Sequence, residues 1–424
     1  MSATLIRNLS RIVTPRGRTA VRGRAMRELA IVESPVIVVN DGRIAYAGRE
    51  RDVPRALRRE VTRDFDAGGG TAIPGFVDTH THLPFAGYRE SEFNRRLKGE
   101  TYQQIAESGG GIASTGRATR AAREGELVTL VGARANTMAL HGTTTAEAKS
   151  GYGLNLHDEL KQLRAIRTAG EGPVRLVPTC LAAHEFPPEC DRRSPQRAEY
   201  IERVVEEIIP AVAAEKLARF CDVFVEDGVF TRDEGERVLR AGAAHGMTPR
   251  IHADELSDTD GAALAASLGA ASADHLMFIS ERGIDALAAS DTVANLLPAT
   301  SFFLMSERFA PARTLLDRGA IVSLSTDCNP GSSMTESMQI VVQLATLRMK
   351  LTVEESLTAA TLNGAYSLGL ADETGSIEEG KLADIVILDA PNYLHLVYHF
   401  GVNLVRHVFR GGELVVRDGR IQTH

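Results

Sequence analysis

Short apolar runs alternate with amphipathic stretches through the middle of this chain. The runs have strand character, and the stretches between them have helical periodicity. The eight runs are residues 76–82, 143–149, 175–184, 222–226, 249–255, 272–276, 292–298 and 321–327. The clearest helical patterns are residues 196–218, 231–245, 260–268 and 333–349. Eight alternating βα units predict an α/β fold, a (β/α)₈ TIM-like barrel, which we expect over residues 73–375.

Both ends of the chain have the pattern of antiparallel strands. Residues 36–48 are two apolar runs joined by Asn40-Asp41-Gly42, which is a strong hairpin signal. Residues 384–388, 407–416 and 417–421 repeat that pattern near the other end. Because chain ends usually lie close together and a stable sheet needs more than two strands, we expect the termini to combine. The prediction is a small β-sandwich domain assembled from residues 1–72 and 376–424.

Composition and charge narrow the functional classes. The chain has 424 residues, of which 43% are apolar, enough for a full core. A net charge of -7 and the lack of a long Lys/Arg cluster argue against nucleic acid as a partner. No apolar stretch approaches the ~20 residues that span a bilayer, so no membrane partner is expected. Four cysteines without paired spacing do not suggest a disulfide framework, and we expect a cytoplasmic protein.

The first 27 residues contain many arginines and no acidic residue. A mitochondrial presequence has this composition, but it needs a sustained amphipathic helix. Pro15, Gly17 and Gly23 interrupt such a helix. The favoured interpretation is an exposed strand and loop.

Two histidines separated by one threonine close the first strand-like run. Side chains alternate along a strand, so His80 and His82 point to the same side and both imidazoles can reach one metal ion. Taken alone, a His-x-His pair at a strand end is more often a chance surface feature or a satisfied polar pair than a metal site. Three further runs end in His252, His275 and Asp327. Catalytic residues of a barrel lie at the C-terminal ends of its strands, so these side chains predict a metal site.

Three imidazoles and one carboxylate suit a single divalent cation with an open position for water. The predicted ligands are His80, His82, His252 and Asp327. The cation is expected to be Zn²⁺ or Fe, with Zn²⁺ preferred, and it would lower the pKa of its water to about 7, which predicts hydrolysis. Two simpler interpretations stay open: His252 as a buried strand histidine bonded to a neighbour, and Asp327 as a helix cap.

Glu255 and His275 are the candidates for proton transfer and carbonyl activation. Glu255 lies three residues past His252, where a carboxylate can carry a proton from water to a leaving nitrogen. The alternative for Glu255 is a solvated loop charge. His275 either ligates a second ion or polarises the substrate carbonyl, and we prefer the second role. With Asp327 these two residues form the predicted catalytic set, whereas Asp274 faces the opposite side of a regular strand and is expected to be structural.

Loops after the first two runs carry candidates for binding an anionic substrate. Arg89 offers a bidentate fork for a carboxylate, and Tyr152 adds a hydrogen-bond donor, although each taken alone is more often a surface residue. The glycine-rich residues 109–115 lack both a preceding strand and a following Lys-Ser/Thr pair, which argues against a phosphate loop. We expect a flexible active-site loop there instead.

Residues 74–82, taken with His252 and Asp327, resemble the amidohydrolase superfamily. Finer motifs are similar to the branch of that family that opens an imidazolone ring in histidine breakdown. The matching stretches are residues 79–87, 95–99, 109–115, 149–154, 183–188, 252–255, 272–276, 325–332 and 398–403. They extend from the first run to the C-terminal strands.

The resemblance implies hydrolysis of the ring C–N bond of 4-imidazolone-5-propanoate, a small anion, to N-formimidoyl-L-glutamate. It implies one zinc or iron ion on the four ligands named above. Glu226 stands where barrels with two metals often carry a modified lysine, which also favours one ion. The residues implied in substrate contact are Arg89, Tyr152, His184, Glu255, Asn329, Gly331 and Ser332.

Two positions depart from the family pattern. Glu185 stands where a small residue is more common, and Cys328 stands where an aromatic residue is common. Glu185 would repel an anionic substrate tail if it turned inward, so substrate fit depends on its orientation.

Two other functions are compatible with the same residues. The first is an amidohydrolase-type deaminase of a heterocyclic amine, because the same histidine and carboxylate array adds water to an amidine carbon. The second is a metal-binding barrel without catalysis, which is disfavoured because the chain retains every ligand and the acid/base. We also expect a homodimer, since most soluble enzymes of this size form closed oligomers.

Overall fold

Eight parallel strands form a barrel in the computed structural model, which describes residues 3–100, 104 and 109–422. Barrel strands one to eight are Phe76–Asp78, Thr143–Lys149, Arg175–Ala183, Phe220–Val225, Thr248–Ala253, Ser272–His275, Val293–Leu296 and Ile321–Leu324. Each strand pairs in parallel with the next. A parallel bridge between Thr81 and Cys328 joins the ends of strands one and eight, so the barrel is nearly closed. The predicted barrel is confirmed.

Helices cover the outside of the barrel and the loops at its ends. The α-helices are Arg55–Glu60, Glu90–Leu97, Ile112–Ala121, Glu124–Leu140, Leu156–Ala169, Gln196–Arg203, Ile209–Ala214, Arg232–Ala244, Gly261–Ser267, Glu281–Ala288, Pro298–Phe303, Ala312–Asp317, Met338–Met349, Val353–Ala359, Leu362–Ser367 and His395–Tyr398. A π-helical turn, Val204–Ile208, joins two of them, and 3₁₀ turns occupy Gly23–Arg27 and Glu50–Asp52. Among the described residues, none of these helices is long and apolar enough to cross a membrane.

Alternation along the strands separates an apolar outer face from a polar interior. In strand four, Val225 lies so close to Gly235 of the helix Arg232–Ala244 that a Cβ there would collide with it, and Val223 faces the same helix. Its neighbour Asp222 faces inward and hydrogen-bonds His252 of strand five. Both faces of the strand are buried, as parallel sheets covered by helices require. The inward-facing side chains of the barrel strands include charged groups such as Asp222.

Two further sheets are built from the ends of the chain. The four-stranded sheet has the order Arg43–Arg49, Pro35–Asn40, Ala3–Arg7, Val61–Asp66. The seven-stranded sheet has the order Arg420–Ile421, Glu413–Arg417, Val405–Arg410, Ile385–Leu388, Thr71–Pro74, Arg11–Thr14, Ala30–Glu33. Its fifth strand, Thr71–Pro74, pairs antiparallel with a C-terminal strand and parallel with an N-terminal one.

An apolar cluster joins the two sheets. Ile6 and Ile37 come from the four-stranded sheet, and Ile385 and Phe409 come from the seven-stranded sheet. The predicted β-sandwich from both termini is therefore confirmed. The exact domain boundaries at residues 72 and 376 stay predictions.

Some local expectations differ from the structure. Strand one ends at Asp78, before the His-Thr-His segment, although the backbone stays extended enough to form the bridge at Thr81. Residues 112–115 are not a loop, because the helix Ile112–Ala121 begins there. The N-terminal segment contains two strands and a 3₁₀ turn whose Met26 is fully buried. All four cysteines are free, as expected.

Candidate metal centre and active site

The His-Thr-His segment is held by backbone hydrogen bonds to the end of strand eight. The Asp327 amide donates to the His80 carbonyl at 3.0 Å, and the His82 amide donates to the Cys328 carbonyl at 3.0 Å. This pairing sets His80 and His82 on the same side, with their Nε2 atoms 3.3 Å apart. Two buried ring nitrogens at this separation are typical of a pair of ligands that share one metal ion.

His252 and Asp327 complete a compact set of four donor atoms. His252 Nε2 lies 3.4 Å from His82 Nε2, and Asp327 Oδ1 lies 3.5 Å from both His80 Nε2 and His82 Nε2. Ligands about 2.1 Å from a tetrahedral zinc ion are separated by about 3.4 Å. These four separations therefore agree with the spacing of ligands around one first-row divalent cation. His275 also lies within 4.8 Å of His80 and His252, so the geometry leaves its alternative role as a ligand open.

The protonation of the histidines suits metal binding. Burial lowers the pKa of His80 well below the usual histidine value, with Lys149 adding to the effect. Burial likewise lowers the pKa of His82, with His252 adding to it. Neutral imidazoles keep the lone pair that a metal requires. The simpler interpretation of His252, a histidine bonded to a neighbour, holds in part because its Nδ1 lies 3.1 Å from Asp222 Oδ1.

The prediction that Asp274 faces away from the site is wrong. Its Oδ2 lies 2.7 Å from His80 Nδ1, inside the barrel. The alternation of strand six breaks because His275 has a φ of 80°, which is rare for a residue with a Cβ. This strained backbone conformation directs the His275 side chain into the site, although Asp274 immediately before it also points inward. Regular strand geometry cannot predict two adjacent inward side chains.

Glu255 and His275 face each other at the open side of the donor set. His275 Nε2 lies 3.6 Å from Glu255 Oε2, and Glu255 is 9% exposed. Burial raises the pKa of Glu255 well above the usual carboxyl value, with the charges of Asp327 and Glu226 adding to it. Burial lowers the pKa of His275 to about 3, so its imidazole is neutral. A solvated loop charge is therefore not the state of Glu255.

The helix-cap interpretation of Asp327 is also wrong. Its Oδ2 accepts hydrogen bonds from the hydroxyls of Thr300, at 2.7 Å, and Ser332, at 3.3 Å. The following helix, Met338–Met349, is capped by the side chain of Ser337. Both oxygens of Asp327 therefore serve the site, one facing the histidines and one held by hydroxyl groups.

A cavity of about 760 Å³ opens above the donor set. All the residues predicted to contact substrate line it: Arg89, Tyr152, His184, Glu255, Asn329, Gly331 and Ser332. His184 Nδ1 lies 3.0 Å from the Gly151 carbonyl oxygen, so Nδ1 carries a proton and Nε2 is an acceptor. The ring of His184 also stacks on His82 with centroids 5.0 Å apart.

Arg89 is buried and held on both sides. Its Nε donates to Glu92 Oε2 at 2.8 Å, and its guanidinium packs against Gly331 so closely that a Cβ there would collide with it. Asn329 Oδ1 accepts from the amides of Gly331 and Ser332, both at 2.8 Å. The segment after strand eight therefore forms a wall for Arg89.

Glu185 turns towards the cavity wall and pairs with an arginine. Its Oε1 lies 2.8 Å from Arg192 Nη2. Burial raises the pKa of Glu185, and the charge of Arg192 opposes that rise. The guanidinium of Arg192 therefore balances the charge of the Glu185 carboxylate, which was expected to repel an anionic substrate.

Several residues at the site were not identified from the sequence. They are Arg96 and Arg192 in the cavity wall, and Glu147, Lys149, Asp222 and Arg250 below the histidines. Lys149 is the last residue of the predicted run 143–149, which was the available signal, whereas Asp222 begins the run 222–226 and had none. Ion pairs between side chains on different strands bring these residues to the site. The pattern of one strand does not show which residues of other strands lie beside it.

Comparison with known proteins identifies the class. Residues 71–415 match the model of the amidohydrolase family, and the chain belongs to that family. Its members are metal-dependent hydrolases, in agreement with the histidine-rich cluster. Within the family the chain is an imidazolonepropionase-type hydrolase of cyclic C–N bonds. Imidazolonepropionase of Porphyromonas gingivalis is 48% identical over 97% of this chain and 96% of its own length.

Other relatives agree. Imidazolonepropionase of Symbiobacterium thermophilum is 50% identical, covering 95% of this chain and 94% of its own length. That of Geobacillus kaustophilus is 45% identical, covering 99% and 100%. Solved structures resemble the fold: an adenosine deaminase from Xanthomonas campestris with bound zinc (TM-score 0.68, 19% identity, covering 99% and 94%) and a triazine hydrolase variant (TM-score 0.76, 18%, covering 99% and 96%). The likeness to a deaminase is of fold alone, so the relatives favour the hydrolase over the deaminase alternative.

Proposed function

We propose that this chain hydrolyses the ring C–N bond of 4-imidazolone-5-propanoate and releases N-formimidoyl-L-glutamate. The observation that carries the proposal is a set of four donor atoms, with four of their separations at 3.3 to 3.5 Å, beneath a cavity whose lining includes Arg89, Arg96 and Arg192. The names of relatives at 45 to 50% identity specify the substrate.

The proposed ligands of one divalent cation are His80, His82, His252 and Asp327. Zn²⁺ is preferred to iron because imidazole and carboxylate ligands with an open position for water are typical of catalytic zinc sites. A cation bound there lowers the pKa of water and polarises the substrate carbonyl.

Glu255 is the proposed general acid/base. Its raised pKa favours accepting a proton from the attacking water and returning it to the ring nitrogen as the C–N bond breaks. His275 is neutral, so it polarises the carbonyl oxygen as a hydrogen-bond donor and does not act as a cation. The oxygen of Asp327 that does not face the histidines is held by Thr300.

The proposed binding site holds the propionate of the substrate between Arg89 and Tyr152. A buried guanidinium bonds strongly to a carboxylate because both are charged and little water competes. His184 offers an acceptor at Nε2 to the ring N–H, and the turn made by Asn329, Gly331 and Ser332 keeps Arg89 in place.

The test is an ultraviolet assay of 4-imidazolone-5-propanoate with the product identified by mass spectrometry. The proposal predicts loss of the ring absorbance and formation of N-formimidoyl-L-glutamate without ammonia. A protein that left this compound intact, or released ammonia from a heterocyclic amine instead, would contradict it.

A further inference from the structure

Four buried charged residues converge below the histidines of the candidate metal centre. They are Glu147, Lys149, Asp222 and Asp274, from barrel strands two, four and six, and each side chain is fully buried. Buried charges are costly unless they are paired and hydrogen-bonded, so their arrangement needs a physical reason.

Lys149 is the centre of this cluster. Its Nζ lies 2.7 Å from Glu147 Oε1, 2.7 Å from Asp222 Oδ2 and 3.9 Å from Asp274 Oδ2. Burial alone would lower the pKa of Lys149, but the charges of Asp222 and Glu147 outweigh it and raise that pKa. The ammonium group therefore stays charged between three carboxylates.

Each carboxylate holds a different part of the ligand set. Asp274 Oδ2 lies 2.7 Å from His80 Nδ1, and Asp222 Oδ1 lies 3.1 Å from His252 Nδ1. A carboxylate accepts a hydrogen bond from the Nδ1–H group, which leaves the lone pair of each ring on Nε2 and fixes the ring plane.

Glu147 acts on the backbone of the His-Thr-His segment. Its Oε2 accepts from the Thr81 amide at 3.1 Å, between the two histidines. Three strands of the barrel are thus joined to the histidine ligands through one ammonium group.

Arg250 supports the same cluster from below but does not replace Lys149. Its Nη2 lies 3.6 Å from Asp274 Oδ2 and donates to the Thr79 carbonyl at 2.8 Å. Among the described residues, only Lys149 forms ion pairs with both Asp222, which bonds His252, and Asp274, which bonds His80.

We infer that Lys149 is a positioning residue for the metal centre, which orients His80 and His252 together through Asp274 and Asp222. The inference rests on the ligand set of the proposed function. Loss of a residue that supports a metal ligand from behind typically weakens metal affinity by about 10- to 100-fold. Removing Lys149 should weaken both histidines at once.

The experiment compares Lys149→Met with the paired variant Lys149→Met/Glu147→Gln. The paired variant removes one cation and one carboxylate together, so it keeps the buried charge balance if the single variant does not fold. Lys161→Met is the matched control, because Lys161 is also buried and ion-paired, at 2.7 Å from Asp158, but lies on the helix Leu156–Ala169 outside the barrel.

The readouts are the Zn²⁺ dissociation constant from competition with a chromogenic chelator, and the visible spectrum of Co²⁺-loaded protein. We expect both Lys149 variants to bind Zn²⁺ about 10- to 100-fold more weakly with an altered Co²⁺ spectrum, and Lys161→Met to match the parent protein. A paired variant with the parent affinity and spectrum would overturn the inference. A parent protein that bound no Zn²⁺ would instead contradict the proposed function.

Discussion

The adjacent pair Asp274 and His275 shows what a single residue contributes to this site. Both side chains reach the barrel interior because the His275 backbone has a positive φ, which is uncommon for a residue with a Cβ. The candidate ligands His80, His82 and Asp327 were predictable from their places at the ends of strand-like runs. The break at His275 was not, because strand periodicity assumes regular dihedral angles.

Glu255→Gln should abolish most turnover and keep the metal. The amide cannot accept or return a proton, so we expect kcat to fall by about 10²- to 10⁴-fold. Steady-state kinetics and metal analysis of the same preparation check this. A variant with nearly normal kcat would remove Glu255 from the mechanism.

The same substitution should stabilise the metal-free protein at neutral pH. Burial raises the pKa of Glu255 in the folded state, so folding favours the protonated form, and the parent loses stability as the pH rises above about 4.3, the pKa in an unfolded chain. Each pH unit in that window, up to the folded pKa, costs about 1.4 kcal/mol. Glutamine cannot ionise.

Urea unfolding of chelated parent and variant at pH 4.5 and pH 7.5 measures the difference. We expect nearly equal free energies of unfolding at the lower pH and a more stable variant at the higher pH. A gap of the same size at both values would show that ionisation of Glu255 is not its cause.

Arg89→Met should weaken substrate binding more than catalysis. Hydrogen bonds to charged groups contribute about 1.5 to 3 kcal/mol, so we expect KM for the propionate substrate to rise by about 10- to 100-fold with a smaller change in kcat. Arg164→Met is the control, since that arginine pairs with Glu215 on the surface. Unchanged KM in Arg89→Met would mean that the carboxylate of the substrate binds elsewhere.

At the scale of elements, the predicted strands and helices agree with the structure to within a few residues. Strand two matches residues 143–149, whereas strand one is shorter than residues 76–82 because its last residues pair only with the end of strand eight. The helix expected at residues 333–349 begins at Met338, since Asn329 and Ser333 form a turn first. Long-range pairing decides these ends, and local pattern does not contain it.

The loop after strand five depends on an element next to it. Glu226, at the end of strand four, accepts from the Leu256 amide at 2.8 Å and from the Ser257 hydroxyl. Glu226→Ala should let the segment that carries Glu255 move, and a displacement of about 1 Å can cost about 10²-fold in rate. We expect lower kcat with unchanged metal content.

Asp233→Ala, which changes a 96% exposed carboxylate on the next helix, is the control for Glu226→Ala. Kinetics and metal analysis of both variants check the prediction. A Glu226 variant that lost its metal together with its activity would show that Glu226 supports the whole site and not the loop alone.

At the scale of the whole molecule, two consecutive strands connect the terminal sheets directly to the barrel. Thr71–Pro74 is an interior strand of the seven-stranded sheet, and Gly75 alone separates it from barrel strand one. Gly75 packs against Thr144 so closely that a Cβ would collide. The β-domain therefore fixes the start of the strand that leads to His80 and His82. A homodimer and a cytoplasmic location stay predictions.

In the proposed mechanism, four side chains at or just beyond the C-terminal ends of strands one, five and eight hold one cation. The most direct test is to remove metal with a chelator and titrate Zn²⁺ back while measuring hydrolysis of 4-imidazolone-5-propanoate and bound metal. We expect no activity without metal and a linear rise that ends at one ion per chain. Full activity in the metal-free protein, or a rise that continued to two ions per chain, would contradict it.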